Sequence, residues 1–354
     1  MRFIVKVISE VTNAKFGRVL TRLTLICLLS ASAAVAQRGR APGPPDGQTT
    51  DNDTVRIRTD EILVPVSIRD SSGVLVSGLS PDRFLVFDNG ERQEITSFNR
   101  QRIPANIVLL LDASGSVFSR MRFIREAAKR FLQSLLPEDK VCVMQFADQV
   151  ELLQDWTSGI DRRPLIKALE WRYHPGQATT FYDGLYLAAQ NQLSNTEGRR
   201  IVILLTDGID TAERKRASFS DAVTAIRRVE ATVYVVSLTE SLRAEITRND
   251  RGWLGRVFGG YDPRAVAEAK TLLDDAEKKL TTIATETGGH IFLPVKDEDL
   301  APAYEAIAEE LRLQYVITFM PKKRAAAGEY RRLKVLVIPG GFEVTAREGY
   351  MGRG

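Results

Sequence analysis

The chain has 354 residues, 44% of them hydrophobic and 27% charged, an ordinary globular balance. Residues 1–36 carry five basic residues (Arg2, Lys6, Lys15, Arg18 and Arg22) against one acid, Glu10, so the rest of the chain holds 44 basic and 44 acidic residues and no net charge. That neutrality excludes a protein that grips nucleic acid mainly through phosphates, and it makes Arg214-Lys215-Arg216 and Lys322-Lys323-Arg324 solvated loops.

The basic leader runs into an apolar stretch from Leu23 to Leu29 and then into small residues ending in Ala34-Val35-Ala36. This is the pattern of a secretory signal peptide over residues 1–36, with an uncleaved anchor as the competing reading. The 14 residues from Leu23 to Ala36 are too few to span a bilayer as a helix. The expectation is an exported chain in the periplasm, on the cell surface or outside the cell, with no membrane span after cleavage. Cys27 belongs to the apolar core of the signal. Cys142, in Val141-Cys142-Val143-Met144, then stands alone as a small buried hydrophobe with no disulfide to make. Residues 37–54 are Pro-, Gly- and polar-rich and read as a flexible linker.

Residues 55–102 alternate apolar and polar positions (Ile57, Ile62, Val64, Val66, Ile68), as half-buried strands do. Asp70-Ser71-Ser72-Gly73 is a turn. Phe84–Phe87 enters an Asn89-Gly90 hairpin, and Arg92 to Phe98 is expected to return as one strand. Strands come back at Leu313–Met320, Arg332–Ile338 and Phe342–Ala346, within residues 313–354. Because the first set is too small to stand alone, the two sets are expected to form one antiparallel β-sandwich, the alternative being two separate appendages.

Between them, residues 103–312 alternate strands with helices. Apolar strands lie at Ile107–Leu111, Val141–Phe146, Ile201–Leu205, Val233–Leu238 and His290–Leu293. Amphipathic stretches fall near 119–135, 161–170, 181–193, 218–229, 265–287 and 300–312. Strands apolar on both faces, separated by helices, predict an α/β fold with a doubly wound, mostly parallel sheet. Residues 241–262 read as an insertion, either a lid or a contact surface, in which Trp253, Phe258 and Tyr261 offer apolar side chains. Trp156, Trp171 and Tyr173 are expected as core or loop anchors.

The first central strand ends in Asp112-Ala113-Ser114-Gly115-Ser116. In an open parallel sheet ligands bind beyond the carboxyl ends of the strands, where a carboxylate and two alternate hydroxyls can converge. An all-oxygen set of low charge suits Mg²⁺ or Mn²⁺, not zinc. Thr179 and Asp183, in the loop Gly176 to Gly184, and Asp207, after Ile201–Leu205, are placed at the same edge.

D-x-S-x-S, T-x-x-x-D-G and T-D-G in this order resemble the von Willebrand factor A domain. The resemblance covers roughly residues 103–312. The flanking β segments and the closing Arg347-Glu348-Gly349-Tyr350 are similar to an exported subgroup noted in acidobacterial genomes. The likeness implies a metal-ion-dependent adhesion site with Asp112, Ser114, Ser116, Thr179 and Asp207 as ligands, direct or through water. Asp183 would support the loop or cap the helix. It also implies a non-enzymatic protein whose Mg²⁺ or Mn²⁺ accepts an Asp or Glu carboxylate from a protein partner, with no nucleic acid partner. A scaffold subunit of an envelope assembly is the alternative. A magnesium-dependent hydrolase is the competing class; it would need a base at the metal, and His174 lies five residues before Thr179. His290 opens a core strand and is read as structural.

Overall fold

The structure is a computed structural model describing residues 61–99, 103–213, 215–249 and 263–352. The leader, the linker, Ile57 and the aromatic residues Trp253, Phe258 and Tyr261 lie outside the described residues.

The chain runs through β1 (Ile62–Arg69), β2 (Phe84–Asp88), β3 (Glu91–Gln93) and β4 (Ile95–Asn99) before entering the central unit at β5 (Ala105–Asp112). There follow α1 (Met121–Ser134), β6 (Lys140–Phe146), β7 (Val150–Ser158), α2 (Arg163–Trp171), α3 (Phe181–Leu187), β8 (Arg199–Thr206), α4 (Phe219–Arg228), β9 (Thr232–Ser237), α5 (Thr239–Asn249), α6 (Pro263–Glu286), β10 (Ile291–Phe292) and α7 (Leu300–Leu313). The chain then returns through β11 (Tyr315–Phe319), β12 (Tyr330–Val337), β13 (Glu343–Ala346) and β14 (Gly349–Met351).

The central sheet has the order β10-β9-β8-β5-β6-β7, parallel throughout except for β7, which runs antiparallel to β6 at the edge. Its middle strands are apolar along their central runs, such as Ile107–Leu111 and Ile201–Leu205, because both faces are covered. Ile107, Leu109 and Leu111 of β5 pack with Phe131, Leu165 and Ile307 of α1, α2 and α7. Val108 and Leu110 pack with Phe181, Ile226 and Ile283 of α3, α4 and α6.

The N- and C-terminal segments pair with each other in two antiparallel sheets, β13-β1-β11-β4 and β14-β12-β2-β3, which share one core that includes Val64, Phe84, Ile317 and Val335. The hairpin at Asn89-Gly90 has both residues at positive φ, 47° and 83°, as its tight turn requires.

Three sequence expectations are corrected, and the expected insertion is located in part. Arg92 to Phe98 is not one strand: the chain changes sheets at Glu94, β3 pairing with β2 and β4 with β11, a corner of the kind a sandwich makes. The helix expected over 181–193 widens into a π-helical stretch from Ala188 to Leu193. The insertion begins as helix α5, and its residues 250–262 lie outside the described residues. Trp171 anchors no core: it is 74% exposed, whereas Tyr173 is buried and Trp156 packs against one face of the sheet.

The sandwich meets the central unit at the amino ends of the parallel strands. Buried Glu310 of α7 accepts hydrogen bonds from Ser67 Oγ (2.8 Å) and Arg69 Nη2 (2.7 Å) of β1 and from Tyr234 OH (3.2 Å) of β9. Arg347, after β13, pairs with Glu230 at 2.8 Å and donates to the Leu63 carbonyl at 2.7 Å.

Candidate metal centre

The parallel register places β5 beside β8, Leu111 opposite Leu205, so Asp112 emerges next to Thr206. The Thr206 hydroxyl donates to Asp112 Oδ2 at 2.7 Å and accepts from the Gly208 amide at 2.9 Å. The Ser114 amide donates to Asp112 Oδ1 at 2.8 Å, and Tyr173 OH donates to the Asp112 carbonyl. Ser114 and Ser116 touch through their hydroxyls at 3.0 Å. Ser116 hydrogen-bonds the Asp207 carboxylate, which also accepts from the Ile209 amide at 3.0 Å.

Direct contacts thus bring Asp112, Ser114, Ser116 and Asp207 together. Thr179 reaches the same edge through its backbone. Its amide donates to Thr211 Oγ1 at 2.9 Å, and its carbonyl accepts from the amides of Thr211 and Ala212, both at 3.1 Å. The loop is held on its other side by Asp148, which accepts from the amides of Gln177 (3.2 Å) and Ala178 (2.8 Å). Asp183 lies away from the four, its carboxylate accepting from the amides of Arg216 and Ala217, each at 2.8 Å. His174 is exposed and is held by its backbone amide to Gln145 Oε1 at 3.1 Å, while His290 lies against Phe292 with the rings tilted by 46°.

Sequence reasoning read Tyr173 only as an anchor and did not assign Thr206, Asp148, Asp210 and Thr211 to the site. The last two sit in the Asp- and Thr-rich run Asp207 to Thr211, a signal that could have been read; Asp210 accepts from the Tyr182 amide at 2.9 Å. Tyr173 has no local signal, because its partner lies 61 residues away.

Asp112 is fully buried and Asp207 is 2% exposed. Burial pushes the Asp112 carboxyl up to about 7, with the Asp207 charge acting in the same direction against hydrogen bonds from Ser114 and Thr206. Burial also raises Asp207, against its bonds from Ser116 and Ile209 and the charge of Arg120. Arg120 is itself paired with Glu245 at 2.6 Å and Asp297 at 3.1 Å. Two buried carboxylates side by side call for a proton or a cation. Among the described residues no three His, Cys, Asp and Glu gather as a metal cluster, so hydroxyl oxygens must complete any ligand set here. Two carboxylates with serine hydroxyls are a hard, all-oxygen set that fits a cation such as Mg²⁺.

The loop carrying Thr179 leaves no room at Gly176, whose amide donates to the Ala113 carbonyl at 2.8 Å. An added Cβ would lie 2.6 Å from both Ala147 Cβ and Asp148 Oδ2. Gly176→Ala is expected to displace this loop and lower the urea midpoint, at a cost of about 1–3 kcal/mol; an unchanged midpoint would show that the loop yields freely.

The family model described as von Willebrand factor type A domain matches residues 106–305, more than half of the chain. The chain belongs to that family. The match covers the α/β unit from β5 into α7 and leaves the sandwich outside it. No curated protein matches the chain. Among solved structures, this von Willebrand factor A chain is similar to a von Willebrand factor type A protein from Catenulispora acidiphila (14% identity, TM-score 0.45, covering 83% of this chain and 74% of that one). It is also similar to proximal thread matrix protein 1 from the mussel byssus (16% identity, TM-score 0.44, 64% and 51%) and to the PilB minor pilin of Streptococcus sanguinis (14% identity, TM-score 0.40, 61% and 63%). The chain spans about half the length of the mussel protein.

Proposed function

We propose that this is an exported, non-enzymatic protein-binding module that captures an Asp or Glu carboxylate of a partner through a divalent cation, Mg²⁺ or Mn²⁺. Asp112, Ser114, Ser116, Thr179 and Asp207 would hold the ion, directly or through water, and Asp183 would keep the neighbouring loop in place. The ion would supply a positive charge able to take a further oxygen ligand. The chain's own residues set the conditions for this. Asp112 and Asp207 provide the negative charge, Thr206 and the Ser114 amide fix the orientation of Asp112, and the serine hydroxyls contribute oxygens without adding charge. The observation that carries the reading is the pair of buried carboxylates meeting two serine hydroxyls at the carboxyl edge of the sheet. Binding of proteins is the general role of this domain family, and no described helix is long and apolar enough to cross a membrane. A scaffold in an envelope assembly would use the same chemistry.

Thermal unfolding in EDTA and in excess Mg²⁺ or Mn²⁺ tests the proposal. A ligand of the folded state adds about 2.7 kcal/mol at ~100 times its Kd. The midpoint is expected to rise with metal in the native chain and to stay put in Asp112→Ala. An equal rise in both proteins, or in neither, would overturn the assignment.

A further inference from the structure

The α/β unit carries a second feature, at the edge of its sheet. A groove of about 620 Å³ lies between β7 and α2, lined by Gln154, Asp161, Arg163, Lys167, Trp171 and Arg172 among others. Arg163, Lys167 and Trp171 are spaced four residues apart and share one face of α2. Trp171 is 74% exposed, which is uncommon for the side chain with the most apolar area to hide. Three cations face one carboxylate here. That carboxylate, Asp161, is held by Arg163 at 2.8 and 2.9 Å in a surface pair whose side chains are 47% and 84% exposed, and an incoming anion can replace it at small cost.

We propose that this groove binds an acidic oligosaccharide, a uronate-bearing glycan whose sugar face stacks on Trp171 while its carboxylates meet Arg163 and Lys167. The charge of the groove selects an anion. The flat indole beside it selects a ligand with an apolar face next to that anion, which a pyranose ring supplies through its C–H groups. Edge strand β7 is poorly suited to an added peptide strand, because side chains already occupy its carbonyls. Leu152 accepts from Arg172 Nη2 at 3.3 Å, and Asp155 accepts from Thr157 Oγ1 at 2.9 Å and Gln154 Nε2 at 3.3 Å. No metal ion enters the proposal, so it stands apart from the carboxyl-edge site.

Calorimetric titration of the whole chain with trigalacturonate, in EDTA, tests it. Binding is expected, weakened by salt, and reduced about tenfold or more by Trp171→Ala and by Lys167→Glu, with unfolding midpoints unchanged at these exposed positions. Asp112→Ala should bind as well as the native chain. The proposal is overturned by no heat at about 10 mM ligand, by full affinity in Trp171→Ala, or by binding that needs divalent metal. Equal affinity for neutral maltotriose would remove the charge argument, and equal, Trp171-dependent affinity for triglutamate would replace the sugar with an acidic peptide.

Discussion

Glu310→Ala is expected to cost about 3–5 kcal/mol of stability, the range found when one member of a buried ion pair is removed. Glu310 has no exposed surface and accepts from Ser67, Arg69 and Tyr234, which come from both halves of the molecule. Gln314 extends the network, donating to Ser67 Oγ at 3.2 Å and to Tyr234 OH at 3.4 Å while accepting from Arg199 Nη2 at 2.6 Å. Truncation would leave the Arg69 guanidinium, whose side chain is 18% exposed, without its carboxylate, and strand two hydroxyls. Glu310→Gln keeps an acceptor and loses only the charge, so its cost should be nearer about 1–2 kcal/mol. Urea unfolding of the two variants measures both. A loss below about 1 kcal/mol for the alanine variant would mean that water enters the junction and replaces the carboxylate.

The second large effect is on pH. Asp112 ionises near its ordinary 3.8 in the unfolded chain and near about 7 in the folded, metal-free protein. Between those values the folded state keeps a proton that the unfolded state has released, so rising pH favours unfolding. The contribution is fully present below pH ~4 and is lost progressively up to pH ~7, for a total of about 4 kcal/mol at ~1.4 kcal/mol per tenfold change. The exposed carboxyls held low by local bonds, such as Asp161 at about 2, complete their change below this window. In EDTA, stability should therefore fall between pH 4.5 and 7, by about that amount at most. Asp112→Asn should flatten the slope, and on the proposed function saturating Mg²⁺ should flatten it too by taking the proton's place. Chemical denaturation across this range reads the slope directly; stability rising with pH in EDTA would contradict a protonated Asp112.

Much of the fold was legible because burial on two faces leaves a strong mark. Ile107–Leu111 and Ile201–Leu205 could hardly be surface strands, and Asn89-Gly90 announced its turn. The edge strand β7 left no such mark, since of Val150–Ser158 only Leu153 is buried and neither period appears. The break at Glu94 was hidden for the opposite reason: residues on both sides have strand character, and only the partners differ. Within the site, Asp112, Ser114, Ser116 and Asp207 could be named from residue type and order. Thr206, Tyr173 and Asp148 could not, because their roles depend on strand register and on loops brought together from distant parts of the chain. Trp171 was misplaced because an indole at the end of an amphipathic helix ordinarily turns inward.

The placement of the sandwich has a mechanical consequence. Asp112 stands at one end of β5, and the connection to the sandwich lies just before its other end, Ala105, about 23 Å away at ~3.3 Å per residue. Tension applied at Asp112 and resisted at the sandwich runs along the axis of this central strand. β5 is laced on one side to β6 and on the other to β8 over nearly its whole length. Such a pull loads two ladders of hydrogen bonds in shear, so they must slip together instead of opening rung by rung like a zipper. A tether attached at the Asp112 edge would therefore draw on the strongest direction of the sheet.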